Sequence, residues 1–282
     1  SAPVATAPPP SPAPRERAAP SAEARARAVE LAILGLDAFG TEGGTPVAAR
    51  HAVQALALDP ENDTVRILDL LLRLRGGDDT VSVDDARSHV QARFADDARL
   101  WLYVSLAMNR RRRHAEAATM LEKALALQPD NLQFQAELCA TYFELGRLDD
   151  AQRCADRVLT LRGSHASHVR ILAARIQARR GDPDGAIRAL EGVRATSPQS
   201  GPAVAVAGAS IELDRDDLVA ARRFADLAVK LGPKMPLARD VRARVLERQG
   251  DREGAIAEAD EAFRLDPADP SRGEYAARLR GR

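Results

Sequence analysis

From residue 21 onward apolar side chains return every three or four positions rather than alternating, which predicts amphipathic α-helices and no strands. The helical runs end on similar stops: ALALDP at 55–60, ALALQP at 124–129, VLTLRG at 158–163, GVRATSP at 192–198, LAVKLGP at 227–233 and EAFRLDP at 261–267. Successive stops fall 69, 34, 35, 35 and 34 residues apart, and the first interval is two periods with a stop missing near Ala95. A fixed period in this range marks a repeat architecture, in which one small unit is copied along an axis and buries its apolar face against its neighbours.

Each unit reads as helix A, short turn, helix B, stop. In the fourth, helix A is predicted over 132–145, Gly146 and Arg147 turn the chain, Asp149 or Asp150 caps helix B, and that helix ends at Arg162 and Gly163. Gly181 and Asp182 repeat the turn in the next unit, and Gly250 and Asp251 in the last. The second unit is irregular: its turn, GGDDTVSVDD at 76–85, is longer than the others and is read as an insertion.

With each stop numbered 32, small residues fall in phase. Position 20 holds Ala48, Ala117, Ala151, Ala186, Ala221 and Ala255; position 27 holds Ala55, Ala124, Ala228 and Ala262; position 8 holds Ser105, Cys139, Ala174, Ala209 and Ala243. Gly43, Gly146, Gly181 and Gly250 occupy position 15, and Trp101 stands at position 4 of the third unit. This pattern resembles the tetratricopeptide repeat, with Trp, Leu, Gly, Tyr, Ala, Phe, Ala and Pro at 4, 7, 8, 11, 20, 24, 27 and 32, over about residues 29–267. Closely crossing helices need small side chains where they touch, which gives the phase an independent physical sense. The second unit matches poorly, and Gly163 replaces the Pro of the fourth.

The resemblance implies an all-α, right-handed α-solenoid of about seven helix hairpins. The expected repeats are 29–62, 63–97, 98–131, 132–166, 167–201, 202–235 and 236–269, within a folded region of 21–282 whose first helix opens over 24–38. Residues 270–282 are expected to form a capping helix whose polar face, Arg272, Glu274, Arg278 and Arg280, shields the last apolar surface from water.

Composition narrows the possibilities. At 45% hydrophobic and 4% aromatic, the 282 residues can fill an extended core, and that core must be alanine and leucine. Basic and acidic residues number 41 each, so no bulk field recruits nucleic acid or anionic lipid, and no nucleic-acid partner is expected. Lys123, Lys230 and Lys234 are the only lysines, an arginine bias read as the coding preference of a bacterium. The run Arg110 to Arg113 has no interleaved aromatics and is read as a solvated turn.

Residues 1–20, SAPVATAPPPSPAPRERAAP, cannot bury enough apolar area to offset ordering entropy and are expected to form a disordered tether. A chain beginning at Ser1 reads as a mature or trimmed form, with membrane attachment expected only through an anchor or lipobox cysteine upstream. Cys139 and Cys154 lie on the two helices of one hairpin; a bridge is conceivable, but two small buried thiols are expected.

In the solenoid that the resemblance implies, helix A lines a concave groove. At 100° per residue, positions 4, 7, 8 and 11 share a packing face, and 2, 5, 6, 9, 12 and 13 share the opposite one. The expected partner-binding residues are therefore Leu102, Tyr103, Leu106 and Asn109, then Glu137 and Phe143, then Ile171, Leu172, Arg175 and Arg179, then Val206, and finally Arg244 and Arg248. An apolar strip through Leu102, Phe143, Ile171, Leu172 and Val206, flanked by arginines, suits a peptide with apolar anchors and a carboxylate. The competing reading is that these residues only pack helix on helix or pair with Glu144 and Asp214. The Lys, Asn, Asn, Lys, Arg set with which this family grips chaperone tails does not fall at the required positions.

No cofactor, metal or catalytic residue is expected. His51, His89, His114, His165 and His168 are scattered, no phosphate loop or GxSxG elbow occurs, and the pairs Asp149–Asp150 and Asp216–Asp217 sit at helix starts. The expected function is a protein or peptide interaction scaffold, not an enzyme. By resemblance to envelope lipoproteins of this repeat class, the setting expected is pilus or secretion assembly, periplasmic or tethered to the outer membrane. The alternatives are a cytoplasmic location, and a regulatory or targeting module of a larger enzyme such as a glycosyl or sulfo transferase.

Overall fold

The computed structural model describes residues 19–41, 44–78, 80–161, 166–267 and 269–281. Residues 1–18 of the tether expected at 1–20, together with Gly43, Arg162, Gly163 and His165, lie outside the described residues. The fold is an all-α, right-handed solenoid of helix hairpins ending in a capping helix. Its α-helices are α1 (Ala22–Phe39), α2 (Thr45–Leu58), α3 (Asp63–Arg75), α4 (Val83–Arg93), α5 (Ala98–Arg110), α6 (His114–Leu127), α7 (Leu132–Glu144), α8 (Leu148–Thr160), α9 (Ala166–Arg179), α10 (Pro183–Thr196), α11 (Gly201–Asp214), α12 (Leu218–Leu231), α13 (Pro236–Arg248), α14 (Arg252–Leu265) and α15 (Pro270–Arg280). The chain divides into two compact units, residues 1–68 and 69–282.

In the first unit, Ser21 caps α1 by accepting from the Ala24 amide, and α1 and α2 meet through buried Ala28, Ala32, Ala48, Ala52 and Ala55. Gly35 makes room for Leu68 of α3, whose Cδ2 would lie 2.4 Å from a Cβ there.

The second compact unit, residues 69–282, carries the regular hairpins. Every residue assigned there to positions 8, 20 and 27 is at most 1% exposed, so the small side chains lie at the helix crossings as the period requires. Six turns share one hydrogen-bond pattern. The amides of Gly77, Arg112, Gly146, Gly181, Asp216 and Gly250 each donate to the carbonyl three residues back, and the next amide donates to the carbonyl five back. This Schellman closure needs a left-handed residue at its centre. Glycine supplies it in four turns, but Arg112 (φ 58°) and Asp216 (φ 63°) adopt it without glycine's freedom. The charged stretch 110–113 is thus a helix-closing turn held in an uncommon conformation.

Helix starts are capped as predicted where Asp182, Asp217 and Asp251 accept from the Gly185, Ala220 and Gly254 amides. The fourth unit differs. Arg147 is the first flanking residue of α8 and makes no side-chain cap, while Asp149 and Asp150 lie inside the first turn. Asp150 accepts instead from Arg147 and Arg153, and Asp149 pairs with Arg180. Acids in a first turn favour the helix through its dipole without capping it. The long turn of the second repeat is closed by Asp78, which accepts from Thr80 and from Arg73 Nε at 2.7 Å; these bonds hold its carboxyl down at about 2.

Two expectations are overturned. Cys139 and Cys154 form a disulfide, with Cα atoms 5.4 Å apart, because antiparallel helices equidistant from a turn bring these positions face to face. The capping helix α15 packs Ala276 and Leu279 against Ala243, Leu246, Ala255 and Ala259, but Arg272 does not face water. At 8% exposure it reaches Asp240 at 3.0 Å, Asp266 at 2.7 Å and Asp269 at 2.8 Å, since its buried guanidinium requires counter-charges on every side.

Candidate functional site

Helices α5, α7, α9, α11 and α13 carry the predicted groove residues, and the structure sorts them into three kinds. The first kind is buried. Leu102, Phe143, Ile171 and Leu172 are 3%, 3%, 8% and 6% exposed. Phe143 and Leu172 join Cys139, Ala151, Ala155, Val169 and Ile176 in one core, and Ile171 joins Ala174, Ala186, Val204 and Ala207 in the next. Val206 is half-buried and packs beside Ala209, Ala225 and Ala228. For these side chains the packing reading holds: Phe143 and Ile171 are covered by the next helix A, and Leu172 packs against the preceding hairpin.

The second kind braces neighbouring units. Asn109 Nδ2 donates to Thr141 Oγ1 at 2.9 Å, and its Oδ1 lies 3.0 Å from His114 Nδ1, so its amide ties α5 to α7. Arg248 reaches Asp216 at 2.7 Å. It belongs to a series of unit-to-unit pairs that the sequence reading missed: Arg113 with Asp84 at 2.9 Å, Arg180 with Asp149, and Arg215 with Asp184 at 2.8 Å. The recurrence of Arg at a helix-A end and Asp at the preceding helix-B start is the signal that could have found them.

The third kind is open. Tyr103 and Leu106 are half-buried, and Arg244 is exposed. Arg175 and Arg179 both lie over the Phe143 ring, their guanidinium carbons 4.3 and 5.1 Å from its centroid. Their carboxylate neighbours are distant for charge-assisted bonds: Arg175 to Glu144 is 3.4 Å and Arg179 to Asp214 is 3.7 Å. Burial pushes the Arg175 pKa down against the charge and the long hydrogen bond of Glu144, with a weaker contribution from the charge of Arg179. Glu137 is half-buried and, among the described residues, has neither an ion pair nor a side-chain hydrogen bond; burial alone pushes its carboxyl pKa up. Among the described residues no cluster of three or more His, Cys, Asp or Glu side chains could hold a metal ion. A recess of about 510 Å³ between α8, α9 and α10, lined in part by Leu159, Arg170, Gln177, Gly192 and Val193, lies away from this face.

The fold and the phase of its small residues define a solenoid of the tetratricopeptide type, a fold typical of protein- and peptide-binding scaffolds. The tetratricopeptide repeat family model matches residues 110–176. No curated protein matches the chain. Among solved structures, a tetratricopeptide repeat protein from Parabacteroides merdae superposes with a TM-score of 0.64 at 13% identity, over 89% of this chain and 98% of that one. Yeast Tom70 gives 0.59 at 19% identity over 89% of this chain and 56% of its own, so the chain spans little more than half of that protein. A thermophilic tetratricopeptide protein from Thermus thermophilus gives 0.53 at 18% identity, over 65% of this chain and 98% of that one. At these identities the likeness concerns the fold.

Proposed function

We propose that the chain is a scaffold that holds an extended, carboxylate-bearing segment of a partner protein against the helix-A face of α5 to α13. The observation that carries this reading is the pair Arg175 and Arg179, stacked on one ring with counter-carboxylates no nearer than 3.4 Å. Such guanidiniums are pre-oriented, and a partner carboxylate could take the short bonds that Glu144 and Asp214 do not make. The test is a double charge reversal, Arg175→Glu with Arg179→Glu, followed by cross-linked capture from the native cell. The variant should melt like the parent and lose its specific partners; an unchanged set of captured proteins would overturn the reading.

The setting we propose is assembly of a bacterial envelope machine such as a pilus or secretion apparatus. Two features support it: the Pro, Ala and Ser composition of residues 1–20, which suits a spacer, and the Cys139–Cys154 bridge, which persists in oxidising compartments. No helix among the described residues is long and apolar enough to cross a membrane, so attachment would require an anchor elsewhere. Fractionation with thiol labelling checks this: the protein should be found in the envelope fraction with both cysteines unreactive until reduced, whereas a cytosolic, thiol-reactive protein would sink it.

A further inference from the structure

We infer that Glu137 is the receptor for a cationic side chain of the partner segment, so that the groove reads a basic residue followed at a fixed distance by an acidic one. The inference rests on the scaffold reading and adds the second charge to it. Carboxylates elsewhere in residues 69–282 that are comparably withdrawn from water have a cation beside them: Arg239 and Arg242 share Glu258, Arg272 binds Asp240, Asp266 and Asp269, Arg278 binds Glu247, and Arg215 lies 3.4 Å from Glu212. Glu137 has none. Its backbone carbonyl accepts from Thr141 Oγ1 at 2.8 Å, but its carboxylate meets no donor, and it stands at the helix-A position equivalent to Tyr103 in the preceding unit. A half-buried carboxylate left without a counter-charge costs stability, and a partner ammonium or guanidinium would recover that cost.

Geometry sets the spacing. Glu137 and Phe143 are six residues apart on α7, about 9 Å along the helix axis, and Phe143 carries the two arginines. An extended segment covers that length in about three residues. Because the same six residues also turn α7 so that the two side chains stand about 120° apart around its axis, the partner would present Lys or Arg at least about three positions from Asp or Glu. A segment with both charges of one sign would meet repulsion at one end of the site, which gives the groove a direction as well as a charge preference.

The test is selection of a random twelve-residue peptide library against the intact chain, its Glu137→Gln variant and its Arg175→Gln, Arg179→Gln double variant. Far-UV circular dichroism and a melting curve establish that each is folded. Sequences enriched on the parent should carry a basic residue at a fixed distance of about three or more positions from an acidic one. A peptide so selected should bind Glu137→Gln about tenfold more weakly, and replacing its basic residue by norleucine should abolish that difference between the two proteins. The Glu137→Gln variant should still enrich acidic sequences. Peptides that depend on Arg175 and Arg179 but lack a basic residue, or that bind Glu137→Gln equally well, would overturn the inference and leave the scaffold reading standing. No enrichment on the parent beyond that on the double arginine variant would overturn both.

Discussion

The indole Nε1 of Trp101 donates to the carbonyl of Ala95 at 2.9 Å, so the first turn of α5 grips the chain just before that helix begins. Gln135 makes the equivalent bond to Pro129 at 2.6 Å and Arg239 to Pro233 at 3.4 Å, each reaching six residues back to the stop of the preceding unit. The donors differ, but the junction is the same. At Ala95, where the expected proline stop is missing, the bond takes on the task of fixing the exit from α4. Trp101→Phe removes the donor and leaves a small cavity in place of part of a ring that is 1% exposed. It should cost about 1–2 kcal/mol in urea denaturation, with the carbonyl left to find water. An unchanged midpoint would show that the junction holds without the indole.

The helix crossings were legible because a single physical demand, close approach of helices, repeats at a fixed interval and selects side chains of one size, as at Ala117, Ala151 and Ala186. Features that depend on one pairing rather than on a repeated demand were not. Cys139 looks like any other small residue at its position, and Arg272 like any arginine on an amphipathic helix, until the elements facing them are known. The site was half legible. Arg175, Arg179 and Glu137 fall on the open face, but Leu102, Phe143, Ile171 and Leu172 were assigned to it by angle alone, and angle does not register that neighbouring helices cover them.

Arg112 holds the left-handed position that glycine fills in the turns at Gly146, Gly181 and Gly250. For a residue with a Cβ that conformation costs roughly 1–2 kcal/mol, partly offset because glycine loses more freedom on folding. Arg112→Gly should therefore stabilise the protein by about 0.5–1 kcal/mol, and Gly146→Ala should destabilise it by about 1 kcal/mol. Paired melting curves check both signs, and a destabilised Arg112→Gly variant would contradict the strain assigned to this turn.

Arg272 ties α15 to α13 through Asp240 and to the preceding turn through Asp266 and Asp269. Arg272→Met leaves three partly buried carboxylates without their cation and should cost about 3–5 kcal/mol. Arg278, whose side chain is 61% exposed where it pairs with Glu247, should cost at most about 1 kcal/mol when changed to Ala. Hydrogen exchange should show the loss first in α14 and α15, because a solenoid passes stability only between neighbours. Equal effects from the two substitutions would refute the distinction between buried and exposed pairs at this end.

Glu137 couples the proposed recognition to pH. Burial raises its carboxyl pKa in the folded chain above the ordinary value of 4.5, so the folded state binds the proton more tightly than the unfolded state does. Stability from this group is consequently greatest below the unfolded value, falls as pH rises from there through the folded value, and stays reduced at neutral pH. Glu137→Gln removes the charge and keeps the shape. It should melt higher than the parent at pH 7, and the two should converge as pH falls below 4.5. Partner binding should show the opposite preference: a basic segment needs the ionised carboxylate, so its affinity for the parent should weaken as the pH falls through the folded pKa, and its affinity for Glu137→Gln should not. A variant that is less stable than the parent at pH 7 would mean that Glu137 already has a stabilising partner in the free protein and is not waiting for one.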